Sequence, residues 1–291
     1  MGRFRIRGKR KKLRREGQDR IPLRAILPNL ITSLAACAGI SSIAMASEGR
    51  FEHALYALLV ACVCDGMDGR VARLLNASSK LGAELDSLAD FVNFGVAPAL
   101  YMFFWLTGKT FGADASEVSD PRIVRLVLGC SLFYAMCDCF RLARFNTMLE
   151  ADSLPYWKHF FTGVPAPGGC WMVLTPAILS VALEDYVGTE SVCAWLHNPA
   201  FGMFMLLFVG ALMASRLPTI SLKAVHLHGR TQVRVFVAAM LFVIGLLFAD
   251  HWLTIGISGL VYFLTVPVSC AVFIKKRKNY ERTLTNIPEK V

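Results

Sequence analysis

The sequence predicts an all-α integral membrane protein with about eight transmembrane helices. Of its 291 residues, 55% are apolar and only 18% are charged, which is more apolar than a water-soluble domain of this length requires. A helix needs about 20 mostly apolar residues to cross the hydrocarbon core, and eight segments meet this requirement. Their approximate bounds are 26–46, 53–75, 84–107, 122–145, 163–183, 198–215, 232–249 and 252–274.

The basic residues are sorted to one predicted side of the membrane. With a cytoplasmic N-terminus, 27 of the 31 Lys and Arg residues fall in cytoplasmic segments, while the outer loops are mainly acidic. This is the positive-inside pattern, and two basic termini on the same side require an even number of spans. The net charge of +10 therefore reflects topology, and its distribution argues against nucleic acid as a partner.

The predicted membrane region, 25–274, forms one domain, because no internal repeat or low-complexity linker divides it. A basic N-terminal segment, 1–24, precedes it, and a basic tail, 275–291, follows it; both are expected to be cytoplasmic. The N-terminal segment either attracts anionic lipid headgroups, at about 1 kcal/mol per basic residue, or serves only as a topogenic signal.

Four aspartates lie where the second predicted span leads into the third. Asp65 and Asp68 are three residues apart, and Asp86 and Asp90 are four apart, so each pair occupies one face of a helix. Two antiparallel helices joined by a short loop around residues 76–80 would bring the two pairs together. The sequence therefore predicts one acidic site at this end of the two spans.

Divalent cations would offset the cost of this acidic site. Each ionisable group among apolar helices costs about 2.5–3.5 kcal/mol on insertion scales, so four carboxylates need strong compensation. Oxygen ligands favour magnesium, manganese or calcium over zinc or copper, and four carboxylates can hold two ions. Gly69 and Gly82 leave room for a phosphate on the same helix faces, and Arg73 offers donors to it.

Two other interpretations of the aspartates remain. They could form a structural ion-pair cluster with Arg70 and Arg73, although two cations cannot neutralise four anions. They could instead line the pathway of a cation transporter, although the outer halves of these helices carry few polar residues. Both interpretations fit the sequence less well than a metal site.

The spacing of the acidic segment resembles the signature of the CDP-alcohol phosphotransferase family. That signature is D-x-x-D-G-x-x-A-R, eight residues, and then G-x-x-x-D-x-x-x-D. Its fixed positions are filled here by Asp65, Asp68, Gly69, Ala72, Arg73, Gly82, Asp86 and Asp90. The resemblance implies the helical fold of that family and a reaction that uses a CDP-activated lipid.

The resemblance also implies roles for these residues. Asp65, Asp68 and Asp86 would ligate Mg²⁺ or Mn²⁺, with two ions expected, while Asp90 would share in the second site and act as general base. The CDP-lipid would contact signature residues and two further positions, Ser79 and the segment P-N-L-I-T. The expected contacts are Pro28, Asn29, Thr32, Gly69, Ala72, Arg73, Ser79 and Gly82.

Further segments resemble membrane-bound bacterial phosphatidylserine synthases. They are D-S-L-A-D-F-V-N-F-G-V-A-P-A (86–99), F-R-L-A-R-F-N (140–146), F-T-G-V-P-A-P (161–167) and S-R-L-P-T-I-S-L-K (215–223). The implied reaction transfers a phosphatidyl group from CDP-diacylglycerol to L-serine, releasing CMP, in phospholipid biosynthesis at the bacterial cytoplasmic membrane. Choline, inositol phosphate or glycerol phosphate remain alternative acceptors. The resemblance also implies a homodimer.

The serine pocket needs cationic donors for the carboxylate of the amino acid. Arginines and a lysine at the ends of the fourth and sixth spans could supply them, or could serve topology alone. Arg141 and Arg144 are favoured because Asp138 and Asn146 accompany them. The expected acceptor contacts are Asn93, which departs from an expected serine, Arg141, Arg144, Arg216 and Lys223.

Overall fold

A computed structural model describes residues 23–77, 79–110, 120–148, 160–184, 186, 188–215, 217–220, 240–241 and 243–285. The helices are α1 Leu23–Ser47, α2 Phe51–Leu74, α3 Lys80–Asp90, α4 Ala97–Thr107, α5 Pro121–Met148, α6 Ala166–Leu183, α7 Glu190–Leu196, α8 Pro199–Ala214 and α9 His251–Thr285. A π-helix, Phe91–Val96, joins α3 to α4, and two short strands are β1 Phe160–Thr162 and β2 Pro218–Ile220. Residues 240–241 and 243–249 are also helical.

The all-α membrane class is confirmed. Within the described ranges, five helices are long and apolar enough to cross a membrane, or six if α7 and α8, which meet at 50°, form one span. Helix α2 is not among the five because the aspartates near its end add charges to every stretch of sufficient length. The seventh predicted span, 232–249, lies mostly outside the described residues, so the number eight stays a prediction.

The buried core surrounds α4, the most enclosed of the helices. Tyr101, Met102 and Leu106 of α4 are fully or almost fully buried, as are Val173 of α6 and Leu206 of α8. By contrast, α1 and α2 keep leucine and valine side chains on their outer faces. In a membrane protein such faces contact lipid, so the apolar exterior is an expected part of this fold.

The π-helix directly follows Asp90 and is associated with a proline and with a contact from a neighbouring helix. Pro98 has no N–H, so the α-helical hydrogen bond from residue 98 to the carbonyl of Phe94 cannot form. The buried hydroxyl of Tyr134 on α5 donates to that carbonyl instead, at 2.9 Å. The wider helical turn is thus held by a neighbouring helix, and π-helical turns of this kind recur at functional sites.

The turn between α2 and α3 is short and closes the acidic hairpin. Asn76 adopts a left-handed conformation with φ of +49°, which asparagine tolerates better than most residues. Ser79 then caps α3, since its Oγ accepts a hydrogen bond from the backbone N–H of Gly82 at 3.0 Å. The short turn thus brings carboxylates of α2 and α3 together, while both helices pack on α1. Antiparallel packing of α2 directly against α3 stays a prediction.

The two strands pair in antiparallel fashion and tie the entry to α6 to the exit from α8. Gly163 follows β1 with φ of +82°, and its N–H donates to the carbonyl of Leu217 at 2.8 Å. A Cβ at this position would lie 2.7 Å from the carbonyl oxygen of Met213 and 2.9 Å from that of Ser215. Both oxygens belong to the backbone and cannot move aside easily.

Gly163→Ala should therefore destabilise the fold. The left-handed backbone alone costs a non-glycine residue about 1–2 kcal/mol, and the contacts with two carbonyls add to this. We expect a lower apparent Tm in detergent than for the wild type. Gly129→Ala on α5 is the matched control, because no described atom lies within 4 Å of its Cβ position. Equal Tm values for the two variants would contradict the interpretation.

Candidate active site

Three of the four aspartates form one compact group. Asp65 and Asp68 of α2 and Asp86 of α3 each offer a carboxylate oxygen, and these oxygens all lie within 4.8 Å of one another. Asp68 is almost fully buried, at 4% exposure, and the other two are half-buried. The two facing helices thus bring together residues that are about twenty positions apart in the sequence.

Neighbouring groups fix the orientation of Asp68. The hydroxyl of Thr32 on α1 donates to Oδ2 of Asp68 at 2.6 Å, and the backbone N–H of Gly69 donates to Oδ1 at 2.5 Å. Each carboxylate oxygen keeps further lone pairs for another ligand. Thr32 therefore positions a carboxylate of the group, and this explains how a residue of α1 belongs to a site built on α2 and α3.

Asp90 lies beside the group of three rather than within it. It follows Asp86 by one turn of α3, and its carboxyl interacts with those of Asp65 and Asp86 and with the guanidinium of Arg141. Its Oδ1 is buried without a hydrogen-bond partner among the residues described. The structure thus distinguishes Asp90 from the other three aspartates by position and by its electrostatic interaction with Arg141.

A cavity of about 160 Å³ opens next to the aspartates, between α1, α2 and α3. Its lining consists of Pro28, Asn29, Thr32, Asp68, Gly69, Ala72, Ala77, Ser79, Gly82, Ala83 and Asp86. Seven of the eight expected CDP-lipid contacts are in this lining. The eighth, Arg73, donates from Nε to the carbonyl of Gly69 at 3.0 Å, so it lies beside the cavity wall.

Small residues keep the cavity open. A Cβ at Gly82 would lie 2.9 Å from Oδ1 of Asn29 and 3.1 Å from Oγ of Ser79, so α1 and α3 meet closely there. Ala77 and Ala83 also line the cavity and were missing from the residues predicted from sequence. Their small size is the only sign of this role, and it does not distinguish them from many other alanines.

The three expected acceptor residues that the structure describes lie in different surroundings. Arg141 lies 3.8 Å from Asp138 on the same helix, and both side chains are largely buried. Arg144 instead donates to the carbonyl oxygens of Ala214 and Ser215, at 2.9 and 3.2 Å, and so anchors α5 to the end of α8. Asn93 is fully buried, and its amide packs against Gly39 of α1. Arg216 and Lys223 lie outside the described residues.

The donor set suits a hard divalent cation. Asp65, Asp68 and Asp86 supply only carboxylate oxygens, which magnesium, manganese and calcium prefer. Like charges this close repel one another among apolar helices, so a cation would stabilise the arrangement. The adjoining cavity, with its glycines and the hydroxyl of Ser79, leaves room for a phosphate group next to such a cation. The site therefore fits a divalent metal with a phosphorylated ligand.

Comparisons with known proteins agree with this geometry. The family model of CDP-alcohol phosphatidyltransferases matches residues 25–214. A CDP-diacylglycerol–serine O-phosphatidyltransferase of Mycobacterium leprae is 33% identical over 247 residues, covering 83% of this chain and 73% of that protein. The enzyme of that name from Mycobacterium bovis is 35% identical over 201 residues, 69% of this chain and 63% of its own length.

The likeness extends beyond the mycobacteria. A protein of the same name from Helicobacter pylori is 37% identical over 154 residues, which are 53% of this chain and 58% of that protein. Except for the M. leprae protein, the matched part is thus less than two thirds of each of these relatives. The family match covers the aspartate group, the cavity and the π-helix, and the chain belongs to the CDP-alcohol phosphatidyltransferase family.

Proposed function

We propose that this protein transfers the phosphatidyl group of CDP-diacylglycerol to L-serine, giving phosphatidylserine and CMP. The observation that carries the proposal is the group of three carboxylates next to a cavity lined by seven of the expected CDP-lipid contacts. The names of the relatives from three bacterial species support serine as the acceptor. An integral membrane protein also has direct access to a lipid substrate in the bilayer.

The CDP-lipid would bind with its diphosphate beside the aspartate group. Gly69 and Gly82 allow the diphosphate to approach the backbone closely, and Ser79 and Arg73 supply hydrogen-bond donors to phosphate oxygens. Asn29 and Thr32 extend the contact to α1. When bound, two Mg²⁺ or Mn²⁺ ions held by the four aspartates would neutralise charge that develops on the diphosphate.

Asp90 is the proposed general base. The hydroxyl oxygen of serine attacks the phosphorus that carries diacylglycerol, and a new P–O bond forms. The bond from that phosphorus to the bridging oxygen breaks, and CMP leaves with the electron pair of that bond. The proton of the hydroxyl passes to Asp90, whose Oδ1 has no hydrogen-bond partner in the part of the chain that is described.

The decisive experiment uses purified full-length protein in mixed micelles with CDP-diacylglycerol and Mn²⁺ or Mg²⁺. Labelled serine, choline, inositol phosphate and glycerol phosphate are supplied in separate reactions, and CMP and labelled lipid are measured. We expect both products only with serine. Release of CMP with another alcohol but not with serine would reject the serine assignment, while no CMP release with any acceptor would reject the reaction class.

A pair of glycine variants tests the proposed CDP-lipid contact. Gly66 and Gly69 both lie on α2, and neither Cβ position has a described atom within 4 Å, but only Gly69 lines the cavity. Alanine at either position should slightly stabilise the helix, by up to about 1 kcal/mol. We therefore expect Gly69→Ala to raise the KM for CDP-diacylglycerol, whereas Gly66→Ala should not. Equal KM values would place the lipid headgroup elsewhere.

The domain limits, orientation and assembly of the chain are part of the same proposal. The membrane domain 25–274 would lie in the bacterial cytoplasmic membrane, with the basic segments 1–24 and 275–291 and the active site on the cytoplasmic side. A C-terminal tag should then be accessible to an antibody only after the cells are permeabilised. The family resemblance also favours a homodimer, and cross-linking in membranes should give a band at twice the monomer mass.

A further inference from the structure

Asp138 and Arg141 form a buried charged pair on α5, and neither residue takes part in the reaction steps proposed above for Asp90 and the CDP-lipid. Asp138 is 0% exposed within the candidate span Pro121–Thr147 of α5, and the side chain of Arg141 is 14% exposed. Charged residues inside a membrane span are costly, and most have a functional role. Arg141 also interacts electrostatically with Asp90, the proposed base, although its ion-pair partner is Asp138.

A structural ion pair alone does not explain this arrangement. Nη1 of Arg141 lies 3.8 Å from Oδ1 of Asp138, too far for a hydrogen bond. Neither oxygen of Asp138, nor Nη1 of Arg141, has a hydrogen-bond partner among the described residues. Buried ion pairs are favourable only with good geometry and with hydrogen bonds to their remaining atoms. Both partners of this pair therefore retain unused capacity for a ligand.

The packing leaves Asp138 beside the wide turn that follows Asp90. Oδ2 of Asp138 would lie 2.8 Å from a Cβ at Gly95 of the π-helix, so a side chain at that position would obstruct the carboxylate. The π-helix is held against α5 by the hydrogen bond from Tyr134 to the carbonyl of Phe94. Asp138 of α5 thus packs against the continuous helix that contains Asp90.

We propose that Asp138 binds the ammonium group of the acceptor while Arg141 binds its carboxylate. This inference rests on the proposed transfer to serine and assigns the residue that recognises its amino group. Serine carries three polar groups, and the site offers one complement to each: Asp90 to the hydroxyl, Arg141 to the carboxylate and Asp138 to the ammonium. Because serine is a zwitterion, its ammonium can pair with the carboxylate of Asp138 while its carboxylate pairs with the guanidinium of Arg141.

The same assignment gives a physical basis for acceptor selection. Inositol phosphate and glycerol phosphate have no ammonium group, so each would place its negative charge near Asp138 with nothing to compensate it. Choline has no carboxylate, so it would leave Arg141 without a new partner. A buried charged group that stays unpaired weakens binding more than a missing contact at the surface does. Asp138 therefore selects for amino acids over phosphorylated alcohols.

The test measures charge-specific binding in the full-length enzyme. The KM for L-serine is compared with inhibition constants for 3-hydroxypropionate, which lacks the ammonium, and for ethanolamine, which lacks the carboxylate. For Asp138→Asn we expect the KM for serine to rise about 100-fold, with the inhibition constant of 3-hydroxypropionate nearly unchanged. For Arg141→Gln we expect the KM for serine to rise while the inhibition constant of ethanolamine stays nearly unchanged, so the preference for serine over ethanolamine is lost.

Two controls separate this role from a structural one. Ser131→Ala removes another buried polar group of α5 that has no hydrogen-bond partner among the residues described, and it should leave all three constants unchanged. The double variant Asp138→Asn/Arg141→Gln removes both charges of the pair, so neither residue is left as an unpaired buried charge. It therefore keeps the test possible if a single variant misfolds. We expect it to lose the preference for serine over both 3-hydroxypropionate and ethanolamine. An Asp138→Asn enzyme, or a double variant, that keeps the wild-type ratio of serine to 3-hydroxypropionate binding would overturn the inference. A wild-type enzyme that does not use serine would instead overturn the proposed function.

Discussion

Asp90→Asn is expected to lower phosphatidyl transfer by about 100- to 10,000-fold, the range associated with losing a general base. Asparagine has nearly the same shape as aspartate, but its amide cannot accept the proton of the attacking hydroxyl. The carboxylates of Asp65, Asp68 and Asp86 remain in the variant, so CDP-diacylglycerol should still bind. The loss should therefore appear in kcat, measured as single-turnover release of CMP.

The environment of Asp90 supports this division between turnover and binding. Its carboxyl interacts electrostatically with Asp65 and Asp86 of the metal group and with Arg141 of the proposed acceptor site. A base must reach both the reacting hydroxyl and its own supporting groups. Near-normal turnover of Asp90→Asn would remove Asp90 from this role, and a variant unable to bind CDP-diacylglycerol would make it chiefly a metal ligand.

The sequence was sufficient to predict the aspartate hairpin because its information is local. Asp65 and Asp68 share one helix face, Asp86 lies on the next helix, and the short turn at Asn76 leaves few ways to connect them. The cavity was also predictable, because Gly69 and Gly82, which line it, are fixed positions of the family signature. Helical periodicity and turn length therefore predict that carboxylates of the two helices meet, but not that Asp90 lies beside the other three.

Long-range contacts were not predictable in the same way. Arg144 donates to carbonyls of Ala214 and Ser215, 70 and 71 residues further along the chain, which the sequence did not indicate. Its expected role at the acceptor stays a prediction. No periodic pattern in α5 indicates which helix end lies opposite. The π-helix was also missed, because Pro98 shows only that one hydrogen bond is absent, while the replacement donor, Tyr134, lies 40 residues away from Phe94.

Asp86→Asn should strongly weaken both transfer and metal binding, whereas Asp90→Asn should chiefly lower transfer. Asp86 is the contribution of α3 to the group of three carboxylates, whose oxygens lie within 4.8 Å of one another. Loss of residues that only support a metal ligand typically costs 10- to 100-fold, so loss of a ligand itself should cost at least about 100-fold. Binding of Mn²⁺ to the purified protein, followed by electron paramagnetic resonance, should weaken together with CMP release.

Glu84→Gln is the matched control for this prediction. Glu84 lies two residues before Asp86 on the same helix, but its side chain is exposed and is not part of the compact group. Removing its charge changes the net charge of the protein equally and should leave Mn²⁺ binding and turnover close to wild type. If Asp86→Asn and Glu84→Gln bind Mn²⁺ equally well, the aspartate group is not the metal site. A loss confined to Asp86→Asn means that metal affinity depends on the convergence of α2 and α3, since a general acidic surface would respond to both changes.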